Sequence, residues 1–150
     1  KTQENVQLVK AFQINWNPEA GEVLQAYIHG QTEKGSGMGR IGTLIHLAST
    51  PSLGDVTALD TMASQLTKHI AAMKPAYLKE NDIPDSVRQE ILDGENGKKA
   101  LKKYIKRDVL WEQELATAEK AETVGKFFKT KSRDLKTTIN VENWALFVIE

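Results

Sequence analysis

The sequence predicts an α+β fold: a small antiparallel sheet of three N-terminal strands and one C-terminal strand, with helices packed on one face. Two observations carry this. Three strand-like segments patterned with apolar residues stand within the first 48 residues and one more closes the chain, while between them apolar residues recur at spacings of three and four. Strands first, helices next and a strand last is the order of an α+β layering, not of repeating βαβ units.

The first strand is expected over residues 4–14, with Val6, Leu8, Ala11 and Phe12. The second is expected over 22–29, where Val23, Gln25, Tyr27 and His29 alternate with Leu24, Ala26 and Ile28. Pro18 and Gly21 mark a 15–21 turn that joins these two as an antiparallel pair. A third strand is expected over 41–48, reached through the glycine-rich stretch 30–40. From Asp55, an expected N-cap, the residues Val56, Leu59, Met62, Ala63, Leu66, Ile70 and Met73 trace one helical stripe. It must stop near Lys74, because Pro75 disfavours helix in the residue before it. A short helix is expected after Pro84, with Val87, Ile91 and Leu92 inward, ended by Gly94 and Gly97. Another should run over 98–115 with Leu101, Tyr104, Ile105 and Val109 on one side, followed by a helical turn over 123–129 and a closing strand over 138–149.

Length and composition narrow the function. At 150 residues the chain has the size of one domain, expected to span 1–150, and 40% hydrophobic residues suffice for a core. Twenty basic residues balance twenty acidic ones, so no global field draws in a polyanion and any nucleic-acid contact must come from a local patch. The absence of cysteine excludes disulfides, thiolate metal sites and cysteine nucleophiles. No apolar run approaches the ~18–20 residues of a membrane helix, and no secretory leader is read at the start. Neither a membrane nor a small-molecule substrate is expected.

Gly37-Met38-Gly39-Arg40-Ile41-Gly42 spells the G-x-G-x-x-G of dinucleotide sites. In such sites the glycines open a helix whose N-terminus faces the pyrophosphate. Here Thr43, Leu44, Ile45, His46 and Leu47 continue as a strand, so a hairpin loop is the better account and no cofactor is expected. Gly97-Lys98-Lys99 lacks the spacing of a P-loop. Of the three histidines, His69 borders the helical apolar stripe and His46 shares a strand face with Leu44 and Ala48. Both read as packed residues, whereas His29 ends a strand at a loop mouth, where side chains are available for contacts. No metal-ligand spacing and no carboxylate pair for acid/base work is present, so covalent enzymatic chemistry finds no support. Lys98, Lys99, Lys102, Lys103, Lys106 and Arg107 line the helix opposite its apolar side. They read either as a solvated face or as a phosphate-contacting, RNA-binding patch; Tyr104 falls on the apolar side, so no aromatic residue interleaves them on their own face for base stacking.

Several phrases, in order along nearly the whole chain, resemble the elongation factor Ts family. They are Glu22-Val23 with Tyr27-Ile28-His29-Gly30, then Ile41-Gly42-Thr43-Leu44-Ile45, and His69-Ile70-Ala71-Ala72 leading to Pro75, Tyr77 and Leu78. Asp82-Ile83-Pro84, Leu110-Trp111-Glu112-Gln113 and Thr123-Val124-Gly125-Lys126 follow, although Glu114 and Leu115 stand where the family has Pro and Phe. The segment between Ile91 and Lys103 is shorter than in bacterial members, as it is in mitochondrial ones. The resemblance implies the C-terminal half of the family's core, a dimerisation-like α+β unit that docks on the GTPase elongation factor Tu and supports GDP/GTP exchange without covalent chemistry. His29, Gly30, Arg40 and Gly42 are the residues it makes partner-facing. It implies the mitochondrial matrix, or otherwise a bacterial cytoplasm. The family's exchange phrase, Thr-Asp-Phe-Val, does not occur in these 150 residues. The competing expectation is a related structural subunit of an organellar ribosome, touching ribosomal RNA or ribosomal proteins through the basic helix.

Overall fold

A computed structural model describes residues 7–8, 10–31, 33, 35–118 and 121–149. Three strands, β1 (Val23–His29), β2 (Ile41–Thr50) and β3 (Thr138–Val148), form one antiparallel sheet in the order β1-β2-β3. Four helices lie between β2 and β3 in sequence: α1 (Thr57–Met73), α2 (Asp85–Asp93), α3 (Gly97–Asp108) and α4 (Val124–Asp134). The α+β class with helices over one sheet face is therefore what the chain adopts.

Register decides which face is covered. Val23, Gln25 and Tyr27 pair with Leu47, Ile45 and Thr43, and these pair onward with Val141, Trp144 and Leu146. All of them point toward α1: Gln25 Nε2 donates to Asp60 Oδ1 at 2.6 Å, and Thr43 Oγ1 donates to the Thr67 carbonyl at 3.0 Å. Beneath this face Leu59, Met62, Leu66 and Ile70 of α1 meet Ile45 and Leu47, together with Leu110, Val124 and Phe128 from the C-terminal helices. Burying one such side chain is worth ~1.5–3 kcal/mol, so this single layer carries most of the fold's driving force. One bulge, between His46 and Leu47 in the pairing with β3, lets Asn143 and Val141 occupy consecutive registers.

Several boundaries differ from the sequence expectation. No strand forms over the described part of 4–14; residues 4–6 and 9 lie outside the described residues. Residues 7, 8 and 10–13 are all exposed, Leu8 at 86% and Phe12 at 44%, so neither side of the segment is buried enough to pin a strand register. Phe12 instead meets Phe147 edge-on, ring centroids 6.5 Å apart, at the β3 side of the sheet. The 15–21 turn is not a hairpin: Pro18–Ala20 forms a 3-10 turn, capped by Asn17 and tied to the segment after β2 by Ser52 Oγ donating to the Ala20 carbonyl. The N-cap of α1 is Val56 rather than Asp55, whose Oδ1 accepts instead from the Thr57 N–H and hydroxyl.

Helix α3 starts at Gly97 and stops at Asp108, not at 115. The Asp108 carbonyl accepts from the N–H groups of Ala76 and Tyr77, and the Tyr77 and Leu78 carbonyls accept from Leu110 and Trp111. Residues 76–78 thus recruit the backbone that a longer helix would have used. Helix α4 extends to Asp134, with Thr123 Oγ1 accepting from the Lys126 N–H at its start. In α2, Val87 and Ile91 are half-buried while Leu92 is exposed, so its expected inward face is narrower.

Candidate partner-docking site

The end of the sheet at His29 is shaped by backbone closure. The Arg40 N–H donates to the His29 carbonyl at 3.0 Å, closing the 30–40 loop, and the Arg40 carbonyl accepts from the Ile149 N–H at 2.9 Å. Arg40 is thereby held between the ends of β1 and β3. Gly30 takes φ 69°, a left-handed conformation that a residue with a Cβ adopts at a cost, so glycine makes the exit from β1 inexpensive. The glycine-rich phrase ends in strand β2, not in a helix, so no helix N-terminus faces a phosphate there.

His29 is exposed and sits on the helix-facing side of the sheet. Its Nδ1 lies 3.3 Å from the Tyr27 hydroxyl. Together with Ile41 and the last turns of α1, these rings line an open cleft of about 410 Å³ whose remaining walls are Lys68, Ala71, Ala72 and Lys74. Lys68 and Lys74 are exposed, so the cleft combines an apolar floor, an aromatic wall and two cations. The structure therefore brings His29, Gly30 and Arg40 to one end of the sheet. Gly42 stands apart from them: it pairs with Ile28 and Phe147, whose side chains occupy the opposite face.

Sequence reasoning missed Lys68 and Lys74 as neighbours of His29. A signal existed: Lys68 immediately precedes His69, and Lys74 is the residue before Pro75. It takes a left-handed conformation with φ 48° and turns the chain out of α1 beside the cleft.

The other two histidines are structural. His69 is fully buried; its Nδ1 accepts from the Ala116 N–H at 3.1 Å, so its Nε2 carries the proton donated to Gln113 Oε1 at 3.0 Å. Burial pushes its pKa below 6.5, with the Gln113 hydrogen bond partly opposing the shift. His46 Nε2 lies 3.0 Å from Glu22 Oε2. The Asn17 N–H, 2.6 Å from the same carboxylate, holds Glu22 below the usual carboxylate range, and His46 adds to that. Among the described residues, no group of three or more His, Asp or Glu side chains is placed to hold a metal ion. No helix among them is long and apolar enough to cross a membrane.

The expected basic residues of α3 fall on one side of the helix, and all six, Lys98, Lys99, Lys102, Lys103, Lys106 and Arg107, are exposed. The pairs Lys98/Lys102, Lys99/Lys103, Lys102/Lys106 and Lys103/Arg107 are like charges one turn apart, each costing ~0.2–0.5 kcal/mol. Lys98 and Lys99 also sit in the first turn, where the helix dipole favours anions.

The family described as elongation factor Ts matches residues 1–99. The mitochondrial elongation factor Ts of Heterostelium pallidum is 24% identical over 149 residues, which is 99% of this chain and 41% of that protein. Elongation factor Ts of Ehrlichia chaffeensis is 29% identical over 167 residues, covering 97% of this chain and 53% of that protein. That of Methylorubrum populi is 34% identical over 105 residues, 61% of this chain and 33% of that protein. This chain spans about half the length of the relatives it matches. On the profile match over residues 1–99 of 150, the chain belongs to the elongation factor Ts family.

Proposed function

We propose that the chain docks on elongation factor Tu through the sheet end at His29, Gly30 and Arg40, and so supports GDP/GTP exchange. The observation that carries the reading is the cleft beside His29. An exposed imidazole, a tyrosine and two lysines converge on an apolar floor of Ala71 and Ala72 at a closed loop mouth. Such a patch joins the two ingredients of a protein interface: apolar area to desolvate and polar groups that set register. Gly42 lies on the other sheet face, outside this patch. The exchange is non-covalent, stabilising a nucleotide-free state of the partner through differential binding. The release step itself belongs to the Thr-Asp-Phe-Val phrase, which these 150 residues do not contain.

The mitochondrial matrix is the proposed location. The shortened segment between Ile91 and Lys103 supports it, and mitochondrial proteins stand among the relatives the chain matches, beside bacterial ones.

His29→Ala tests the docking reading. The side chain is exposed and its contact to Tyr27 lies at the surface, so stability should change by no more than ~0.5 kcal/mol. Loss of one interfacial hydrogen-bonding ring should weaken binding to elongation factor Tu about tenfold, measured by isothermal titration calorimetry alongside a thermal melt. Equal losses of binding and of thermal stability would make His29 a structural residue. A second reading, an elongation factor Ts-like subunit of an organellar ribosome without exchange activity, is favoured by the exposed cations of α3.

A further inference from the structure

The cations of α3 are not used by the docking site and are not neutralised by their neighbours. Among the described residues, only Arg107 of the six has a carboxylate partner, Asp108 Oδ2 at 2.7 Å, and it also lies over the Tyr104 ring at 5.4 Å. Lys106 borders a shallow cleft with Glu112 and Glu114, without an ion pair to either. The remaining lysines face solvent along the whole helix. A chain with no net charge has therefore gathered six of its twenty cations on twelve residues, in which Asp108, the last, is the one acid.

Three further observations bear on what this stripe meets. The helix is already packed on its other side: Tyr104 reaches Tyr77, and the turn from α2 is tight enough that Gly97 is buried against the Leu92 backbone. The charged face is thus presented on a fixed rod, not on a helix awaiting a core. Lys106 and Arg107 suit the dipole in the last turn, but the self-repulsion of the stripe and the dipole mismatch at Lys98 and Lys99 are tolerated where a glutamate at any of several exposed positions would relieve them, the pattern of a site that trades local stability for function. Finally, the stripe contains no exposed aromatic or apolar residue. Base stacking on single strands and insertion into a lipid surface both need such residues.

We infer that the α3 stripe binds the phosphodiester backbone of a double-helical nucleic acid, independently of the docking site. From Lys98 to Arg107 the helix rises ~14 Å, which spans about four phosphates per strand of a duplex. Four contacts predict a slope near −3.6 for log K against log salt, so affinity should fall about 100-fold between 50 and 200 mM KCl.

The test is fluorescence anisotropy of the 150-residue chain with a labelled 20-base-pair RNA duplex and a DNA duplex of the same sequence. A 20-nucleotide single strand, phosphatidylserine-containing vesicles and polyglutamate are run beside them. The expected result is duplex binding with the slope above. The triple variant Lys102→Gln, Lys103→Gln, Lys106→Gln should bind at least about 30-fold more weakly at 100 mM KCl, with its slope reduced by about 3. Lys126→Gln with Lys129→Gln, removing exposed cations from α4, should change binding less than threefold. The duplex should also raise the thermal midpoint of the parent chain, by relieving repulsion within α3, and not that of the triple variant. Equal binding of RNA and DNA supports the backbone reading, and preference for RNA names the source. The inference is overturned by absent duplex binding at 50 mM KCl, by equal binding of the triple variant, or by stronger binding of vesicles or polyglutamate.

Discussion

His69→Ala is expected to destabilise the fold by about 3 kcal/mol, lowering the thermal midpoint by roughly 6–12 °C for a chain of this size. The ring is fully buried and both nitrogens are committed, Nδ1 to the Ala116 N–H and Nε2 to Gln113. Gln113 in turn donates to the Arg107 carbonyl, so the ring links α1 to the end of α3 and to the segment after it. Truncation leaves a cavity, a buried amide oxygen and a backbone N–H without partners. The same bonding predicts a pH signature. Because the folded pKa of His69 lies below 6.5, the unfolded chain binds the extra proton first. The associated stability is complete above pH 6.5 and declines as pH falls from there through the folded value. Protonation at Nδ1 displaces the Ala116 N–H, which gives the loss a structural cause. Urea melts between pH 5 and 7.5 should show this slope in the parent chain and a flatter one in His69→Ala. Glu22 and Asp55, both held below their ordinary values of 4.5 and 3.8, contribute stability that is lost only at lower pH and so do not blur the window.

Gly97→Ala should be nearly as damaging, with a sign opposite to that of helix propensity. In an ordinary helix, alanine in place of glycine stabilises by ~0.5–1 kcal/mol. Here a Cβ would fall on the Leu92 carbonyl oxygen and within 2.7 Å of the Leu92 Cα. Those atoms are backbone and cannot rotate aside, so the α2–α3 turn must open. The expected cost is about 3 kcal/mol, read as a fall in the urea midpoint. An unchanged or raised midpoint would show that this turn is looser than its geometry implies.

Much of this fold was legible in the sequence because one apolar period dominated each segment. Leu59, Met62, Leu66 and Ile70 left no alternative to a helix, and the alternation through Val23–His29 placed Val23, Gln25 and Tyr27 on a common face. What was not legible depended on partners distant in the chain. Helix α3 stops at Asp108 because residues 76–78 capture its last carbonyl, which no local pattern announces. The stretch 4–14 read as a strand by its period-two pattern, but its described part finds no register, and Phe12 settles against Phe147. At the candidate site, His29, Gly30 and Arg40 were visible as a loop mouth. Lys68 and Lys74 come to it only through the packing of α1 across β1 and β2, and Gly42 stands on the other sheet face from His29 because a one-residue step along a strand changes face.

Whether this chain carries a docking surface for elongation factor Tu is decided by titrating it against elongation factor Tu loaded with fluorescent GDP, recording binding and GDP release together. Saturable binding is expected at micromolar or lower concentration, lost in part by His29→Ala, with GDP released slowly because the Thr-Asp-Phe-Val phrase does not occur in these 150 residues. No binding at micromolar concentrations would contradict it and leave the basic face of α3 as the surface through which this protein acts.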